Sequence, residues 1–237
     1  MTRPIIGVLL DYEAKGSFSA RPHYALRISY FDAIWRAGGT PIALPYIKEE
    51  ITNYMAICKG FLFPGGIYPF PSSVYDSQAS VGEKQHPRYQ FEYTLLTSIL
   101  QANLPILGIC AGMQLICATL GGKLFNNIST QTSSKIDHLN GARAEELLHE
   151  VSIEPSSLLF KILGVNKMRV NSAHQESLKK ASPELVVNAV APDGIVEGIE
   201  APRYKFCMGV QWHPEFFAKV GDPNFNLFKQ LVLFANN

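Results

Sequence analysis

The sequence is poor in cysteine, carries almost no net charge and contains no long hydrophobic run. Its four cysteines show no CxxC spacing, so they predict neither a disulfide framework nor a cysteine-ligated zinc site. Unpaired cysteines are typical of a reducing compartment, and we expect a cytoplasmic protein. A formal net charge of +1 without a basic cluster gives no reason to expect nucleic acid or a membrane as a partner. No apolar stretch reaches the roughly 20 residues that a membrane-spanning helix needs.

What the sequence does contain is an alternation of strand-like and helical segments. Its 237 residues, with a hydrophobic fraction of 47%, suit one large domain that spans 1–237. Helical spacing of apolar residues over Tyr24–Ala37 and Tyr89–Gln101 alternates with short apolar runs such as Gly60–Phe63. This β-α-β order predicts an α/β fold with a central, mostly parallel, flavodoxin-like sheet and helices on both faces. In the second half, short strands and a turn at Pro192-Asp193-Gly194 predict a small antiparallel extension.

The most informative segment is a cysteine between an apolar run and a helix. Leu104–Leu107 reads as a buried strand, and Met113–Leu120 has helical spacing of apolar residues. Between them, Gly108-Ile109-Cys110-Ala111-Gly112 has the pattern of a nucleophile elbow with sulfur in place of oxygen. The flanking glycines allow a strained turn, and the N-terminus of the following helix favours the negative charge of a thiolate. The pattern therefore indicates covalent catalysis by Cys110.

A cysteine nucleophile needs a base, and the base needs a group that orients it. The segment from Phe206 to Gln211 predicts a strand, and His213 follows it at the sheet edge where Cys110 is expected. Glu215 can turn back to accept the imidazole N–H. We therefore predict a catalytic triad of Cys110, His213 and Glu215.

Backbone amides are the expected oxyanion donors. The N–H of Ala111 lies at the predicted start of the elbow helix, and Gly65 or Gly66 can supply a second N–H because a glycine allows close approach. These glycines precede a segment, Ile67–Pro87, that is rich in proline, serine and tyrosine and reads as a long loop. Long loops in compact domains tend to be functional, and we expect this one to close over the pocket and select the substrate.

Both candidate motifs together resemble a known superfamily. Gly108–Gln114 and Gly209–Glu215 are similar to the two catalytic motifs of class I glutamine amidotransferases. Three further stretches, Phe63–Gly66, Val170–Gln175 and Ala191–Glu197, resemble the γ-glutamyl hydrolase branch, which is the peptidase C26 group. Within it, the sequence looks closest to γ-glutamyl-γ-aminobutyrate hydrolases. The likeness runs from about Pro4 to the last predicted helix.

The resemblance implies a fold, an activity and a set of site residues. It implies the class I glutamine amidotransferase fold and a hydrolase that cleaves a γ-glutamyl amide through a thioester on Cys110, without cofactor or metal. The expected partner is a small γ-glutamyl compound, and a homodimer is expected only as the commonest assembly. By position, the residues that resemble substrate-binding groups are Gln114, His174, Tyr30 and Ser172.

Two positions depart from the pattern of the γ-aminobutyrate-type enzymes. Ala111 follows the candidate nucleophile where those enzymes usually carry arginine. Arg88-Tyr89 occupies the place where they tend to have an Arg-Asp pair. Both positions are expected where the leaving group is recognised, so the identity of the leaving amine stays open.

Two other functions also stay open. A glutaminase that passes ammonia to a separate synthase would use the same triad and would prefer glutamine. A non-catalytic γ-glutamyl-binding protein would not need the thiol at all. For single residues, Gln114 can instead bond to backbone, and His174 can order its loop rather than contact substrate.

The remaining histidines give no sign of a metal site. His23, His86, His138 and His149 show no ligand spacing with each other or with cysteines and acidic residues. We therefore expect no metal ligands among them.

Overall fold

The computed structural model describes residues 2–75, 85–140 and 143–236, and its main feature is a nine-stranded sheet. The strands are β1 (Ile5–Val8), β2 (Asp11–Glu13), β3 (His23–Ala25), β4 (Thr40–Ala43), β5 (Gly60–Phe63), β6 (Ile106–Ile109), β7 (Lys123–Phe125), β8 (Leu147–Ile153), β9 (Lys167–Asn171), β10 (Ser177–Lys180), β11 (Val186–Val190), β12 (Val196–Glu200) and β13 (Cys207–Val210). The α-helices are α1 (Ile28–Arg36), α2 (Ile51–Ile57), α3 (Pro87–Gln101), α4 (Ala111–Thr119), α5 (Ile128–Gln131), α6 (Leu158–Leu163) and α7 (Phe225–Asn236).

The large sheet has a parallel half and an antiparallel half. Its strand order is β4-β1-β5-β6-β13-β12-β11-β8-β9. The pairings from β4 to β13 are parallel, and those from β13 to β9 are antiparallel. Val210 of β13 is opposite Ile109 of β6, so the segments that follow both strands leave the sheet at one edge. Two small sheets, β2-β3 and β7-β10, lie apart from it.

Alternation along the central strands supplies a hydrophobic layer on each face. Phe61 and Phe63 of β5 lie in the layer that includes side chains of α3 and α4. Leu62, between them in sequence, lies in the opposite layer with side chains of α1, α6 and α7. Successive side chains of a strand point to opposite faces, so a continuous apolar run fits a strand covered on both sides. The central strands β6 and β13 therefore belong to a part of the sheet that is packed on both faces.

These observations confirm the predicted α/β fold with its parallel sheet, flanking helices and antiparallel extension. β5 has the predicted bounds, and β11 and β12 form an antiparallel pair around the predicted turn. The helix predicted over Tyr24–Ala37 is wrong at its start, because His23–Ala25 pairs with β2 and the helix begins at Ile28. Apolar residues at helical spacing continue back into this strand, so the sequence pattern predicts a helix that starts too early.

The predicted long loop is partly structured. Ser72–Tyr75 forms a short 3-10 helix, and α3 begins at Pro87. Residues 76–84 of the predicted loop lie outside the described residues. Within the described ranges, no helix combines the length and hydrophobicity that crossing a membrane requires.

Candidate active site

Cys110 occupies the turn between β6 and α4. Its backbone has φ 52° and ψ −107°, a conformation that residues with a Cβ rarely adopt. The turn is tight enough that a Cβ on Gly112 would overlap the carbonyl oxygen of Phe63 on the neighbouring strand. Strand, strained cysteine and helix therefore form the elbow that the sequence predicts, and the cysteine stands at the N-terminus of α4.

His213 and Glu215 form a buried pair next to Cys110. The His213 Nδ1–H donates to Glu215 Oε1 at 2.8 Å, and neither side chain is more than 4% exposed. Burial alone lowers the pKa of an imidazole. The charge of Glu215 and the contact with the Cys110 side chain outweigh it, and they raise the pKa of His213 to about 10. The imidazole is therefore protonated near neutral pH, the state in which it can donate a proton to a leaving group.

Asn171, for which the sequence predicts no role, fixes the backbone of His213. Its Oδ1 accepts the His213 N–H at 2.9 Å, and its Nδ2 donates to the His213 carbonyl at 3.1 Å. Asn171 is fully buried and ends β9. The pair of hydrogen bonds therefore ties the imidazole to the antiparallel half of the sheet. In the sequence, the only signal at Asn171 is the family resemblance of the stretch Val170–Gln175.

Gly65 fits between three functional side chains. A Cβ on Gly65 would lie 2.5 Å from His213 Cε1, 3.2 Å from Tyr30 Oη and 3.3 Å from Cys110 Cβ. The Gly65 N–H donates to Tyr30 Oη at 3.1 Å, and Tyr30 Oη lies 3.4 Å from His213 Nδ1. Because Tyr30 already uses the Gly65 amide, Gly66 is the better candidate for the second oxyanion donor.

Arg88 stabilises the Pro64–Gly66 turn through hydrogen bonds to its carbonyl groups. Its Nη2 donates to the Pro64 carbonyl at 2.6 Å, and its Nη1 donates to the Gly65 carbonyl at 3.1 Å. Nε donates to Glu92 Oε1 at 2.9 Å, and Nη1 also reaches Asp11 Oδ1 at 3.0 Å. The guanidinium is fully buried, so it acts as a structural clamp on the turn that faces Cys110.

Cys110 lies where two cavities meet. One cavity, of about 380 Å³, is lined by residues that include Tyr68, Gln114, His174 and Glu176. The lining of the other, of about 520 Å³, includes His213 and Tyr30 together with the charged residues Asp11, Glu13 and Arg27. Cys110 and Gly66 belong to both linings. A substrate bound across the cysteine would therefore place different groups on its two sides.

The residues expected to bind substrate occupy different surroundings. Gln114 lines the smaller cavity, but its Nε2 donates to the Glu176 carbonyl at 3.1 Å and to Gln211 Oε1 at 3.2 Å. Tyr30 lines the larger cavity beside the imidazole. His174 lines the smaller cavity and is 4% exposed. Ser172 is fully buried, and its hydroxyl donates to the His138 carbonyl at 2.6 Å, which orders the loop.

The two departures from the family pattern have different structural settings. Ala111 is buried directly after the elbow cysteine. Tyr89 packs against Phe70 and Tyr93, with ring centroids 5.6 Å apart in both pairs. Arg88, its neighbour, clamps the glycine turn instead of facing a cavity. The Arg88-Tyr89 pair therefore lies behind the glycine turn, which Arg88 stabilises, and it does not lie where the leaving group was expected to be recognised.

His138 and His149, which show no ligand spacing in the sequence, lie close together in the structure. The fold brings His138 and His149 together with His174 around the buried carboxylate of Glu197. These residues come from four separate segments, so no local spacing could reveal the cluster. His23 and His86 lie elsewhere, His23 next to Glu13 and His86 at the N-terminus of α3.

The architecture, a half-parallel sheet with an elbow cysteine at its edge, is shared by solved structures of other proteins. A GMP synthase component from Thermoplasma acidophilum matches with a TM-score of 0.67 and 16% identity, over 100% of this chain and 96% of that one. The glutaminase domain of a Trypanosoma brucei CTPS, solved with bound acivicin, matches with a TM-score of 0.65 and 19% identity, over 98% and 94%. Both comparisons support the fold.

Sequence comparison gives the family. The Peptidase C26 family matches residues 4–215, and the chain belongs to it. A glutamine amidotransferase-like protein of Rickettsia prowazekii is 35% identical over 97% of both chains. A γ-glutamyl-γ-aminobutyrate hydrolase of Escherichia coli O157:H7 is 30% identical over 91% of this chain and 87% of its own length. The resemblance inferred from the motifs is thereby confirmed, and the protein is a glutamine amidotransferase-like amide hydrolase.

Proposed function

We propose that this protein hydrolyses the amide bond of a γ-glutamyl amine through a γ-glutamyl thioester on Cys110. The observation that carries the proposal is the position of Cys110, at a strained elbow between two cavities and in contact with a buried His213–Glu215 pair. Relatives named γ-glutamyl-γ-aminobutyrate hydrolase support the γ-glutamyl group as the acyl part.

The position of His213 indicates which part of the substrate each of the two cavities binds. A general acid has to be within hydrogen-bond reach of the leaving nitrogen, and His213 lines only the larger cavity of the two. The leaving amine therefore occupies the larger cavity, and the glutamyl group occupies the smaller one beside Gln114. Within the smaller cavity, the Glu176 carbonyl and the Gln114 side chain are polar groups that can orient the glutamyl amino acid end.

The chemistry follows in two halves. The Cys110 thiolate attacks the δ-carbonyl carbon, and backbone N–H groups of Ala111 and Gly66 hold the resulting oxyanion. As the C–N bond breaks, His213 gives its proton to the nitrogen and the amine leaves. A water molecule then gives a proton to His213 and attacks the thioester carbon. The C–S bond breaks, glutamate leaves and the thiolate is restored.

The size of the larger cavity and the presence of Arg27 in its lining favour an amine bigger than ammonia. Its volume is about 520 Å³, and its lining includes Arg27, Glu13 and Asp11. Asp11 is paired with buried Arg88, whereas the Arg27 guanidinium lies over the Phe216 ring at 5.3 Å. An exposed guanidinium at this place can bind a carboxylate on the leaving amine. An amine that carries its own acid group, such as γ-aminobutyrate, therefore fits this side.

Turnover and trapping by the isolated full chain test the proposal. We expect hydrolysis of γ-glutamyl-γ-aminobutyrate in preference to glutamine, and acid-quenched protein should carry the mass of one γ-glutamyl group. Cys110→Ala should abolish the adduct and lower kcat by roughly 10⁴-fold or more, since nucleophile and base act as a unit. Arg27→Ala should raise KM for γ-glutamyl-γ-aminobutyrate more than KM for glutamine.

Cys117→Ala provides the matched control. Cys117 lies on α4, the helix that follows Cys110, and burial raises its pKa to about 12, so it is inert as a nucleophile. This variant should keep both the adduct and the activity. Unchanged turnover in Cys110→Ala would contradict the covalent mechanism. A clear preference of the wild-type chain for glutamine would instead favour a glutaminase that supplies ammonia to a synthase.

A further inference from the structure

A buried group of four ionisable side chains lies outside the Cys110–His213–Glu215 site. It consists of Glu197 on β12, His149 on β8, and His138 and His174 in loops. Glu197 is fully buried, and the three histidines are between 3% and 7% exposed. The proposed hydrolysis gives no role to His138, His149 or Glu197. We call these four residues the histidine cluster.

The three imidazoles converge on one carboxylate oxygen. His138 Nδ1 lies 3.4 Å from Glu197 Oε1, and His149 Nε2 and His174 Nε2 each lie 3.5 Å from the same atom. A charge-assisted hydrogen bond to a carboxylate is about 2.7–2.9 Å long, so these contacts are too long for good hydrogen bonds. Within the described residues, the three nitrogens and both Glu197 oxygens are buried without a hydrogen-bond partner.

The outer nitrogen of each ring faces an oxygen that can only accept a hydrogen bond. The three contacts are His138 Nε2 to Asp193 Oδ2 at 2.8 Å, His149 Nδ1 to the Glu150 carbonyl at 3.2 Å, and His174 Nδ1 to the Glu176 carbonyl at 2.9 Å. An acceptor at the outer nitrogen fixes the proton there, so a neutral ring presents its lone pair to Glu197. When all three rings are neutral, their lone pairs and the Glu197 carboxylate repel one another in this buried space, and a cation between them removes the repulsion.

The three distances from imidazole nitrogen to Glu197 Oε1 match the edges of a tetrahedral coordination shell. With metal–ligand distances of about 2.0–2.1 Å, two ligand atoms of a tetrahedron are about 3.3–3.4 Å apart. The donor atoms of His138, His174 and Glu197 all lie within 4.8 Å of one another, and His149 Nε2 lies 3.5 Å from the same carboxylate oxygen. Outer partners that orient metal-bound histidines are typically carboxylates and backbone carbonyls, as they are here.

We propose that the histidine cluster is a structural zinc site with His138, His149, His174 and Glu197 as ligands. Imidazole and carboxylate ligands suit zinc, and four protein ligands in a buried place leave no open position for catalysis. The ion would join two loops to β8 and β12. It would also fix the wall of the smaller cavity, because the Glu176 carbonyl accepts from both His174 and Gln114.

Metal binding is tested in a Cys110→Ala background, which removes a thiol that could itself take up zinc. We expect about one zinc per chain after purification with zinc, by elemental analysis, and a melting temperature that falls on chelation and recovers with added zinc. Cobalt substitution should give the intense visible bands of a tetrahedral site without a sulfur-to-cobalt charge-transfer band. None of these measurements depends on hydrolytic activity.

Substitution of single histidines tests which residues bind the metal ion. His138→Gln and His174→Gln should each lose the tetrahedral cobalt spectrum and the response of the melting temperature to zinc. His23→Gln, a histidine outside the cluster, should keep both. The proposal is wrong if the Cys110→Ala chain retains less than about a tenth of an equivalent of zinc and does not respond to added zinc or cobalt. It is equally wrong if both ligand variants bind cobalt as the parent chain does.

Discussion

A methyl group at Gly65 should damage catalysis more than stability. The added Cβ would lie 2.5 Å from His213 Cε1, whereas carbon atoms in contact are normally about 3.5 Å apart or more. Gly65 cannot easily yield, because its N–H is bonded to Tyr30 and its carbonyl to Arg88. The imidazole has to move by about 1 Å, and a displacement of that size can lower a rate about 100-fold. Gly65→Ala should therefore lower kcat by about 100-fold, or about 2.7 kcal/mol in activation free energy.

Steady-state kinetics with γ-glutamyl-γ-aminobutyrate and thermal unfolding of the same samples measure the two effects. Gly60→Ala is the matched control, since Gly60 begins β5, the strand that precedes the Gly65 turn, and the nearest atoms to its Cβ would be core side chains at 3.3 Å. We expect Gly60→Ala to keep kcat and to lose stability to a similar degree as Gly65→Ala. A Gly65→Ala enzyme whose kcat stays within about threefold of wild type would refute the proposed position of His213 in catalysis.

Three further changes test the support of the site. Glu215→Gln should lower kcat by roughly 10³-fold, because the carboxylate orients and stabilises the imidazolium. In the wild type, the pKa of His213 is raised from 6.5 to about 10, so its contribution to folding stability is complete below pH 6.5 and is lost as the pH rises towards 10. Denaturant unfolding against pH should show this decline in the wild type, and a smaller one in Glu215→Gln. Asn171→Ala should cost about 1–3 kcal/mol of unfolding free energy, since it leaves buried backbone groups of His213 unpaired; an unchanged denaturation midpoint would contradict this. Arg88→Leu should cost about 3–5 kcal/mol because Glu92 loses its buried partner, and the double variant with Glu92→Leu should recover part of the loss in the same assay.

The elbow at Cys110 and the position of His213 could be predicted from sequence because each follows from a local pattern. A strand, a glycine-flanked cysteine and a helix follow one another directly at Cys110, and His213 follows the strand that pairs with the elbow strand. Parallel strands end at one edge, so two such motifs come together once the sheet is assumed. The fold class follows from the same alternation of apolar strands and amphipathic helices.

The supporting residues could not be predicted because their partners are distant in sequence. Asn171 bonds to His213 across 42 residues, and Arg88 reaches the Pro64 carbonyl across 24 residues. Neither residue type has a local signature for such a role. A buried arginine and a buried asparagine are recognised only once their surroundings are known, since charged and amide side chains are mostly exposed.

The order of strands links the site to the histidine cluster. β13 pairs with the elbow strand β6 on one side and with β12, which carries Glu197, on the other. Val210 is opposite both Ile109 and Gly198, so the residues next to Cys110 and Glu197 are two strand spacings apart, or about 10 Å. Backbone hydrogen bonds continue this link, from the Cys110 N–H to the Val210 carbonyl and from the Gln211 N–H to the Glu197 carbonyl, each at 2.8 Å. A cation at the cluster would therefore stabilise the strand that leads to His213, and it would do so without taking part in the chemistry at Cys110.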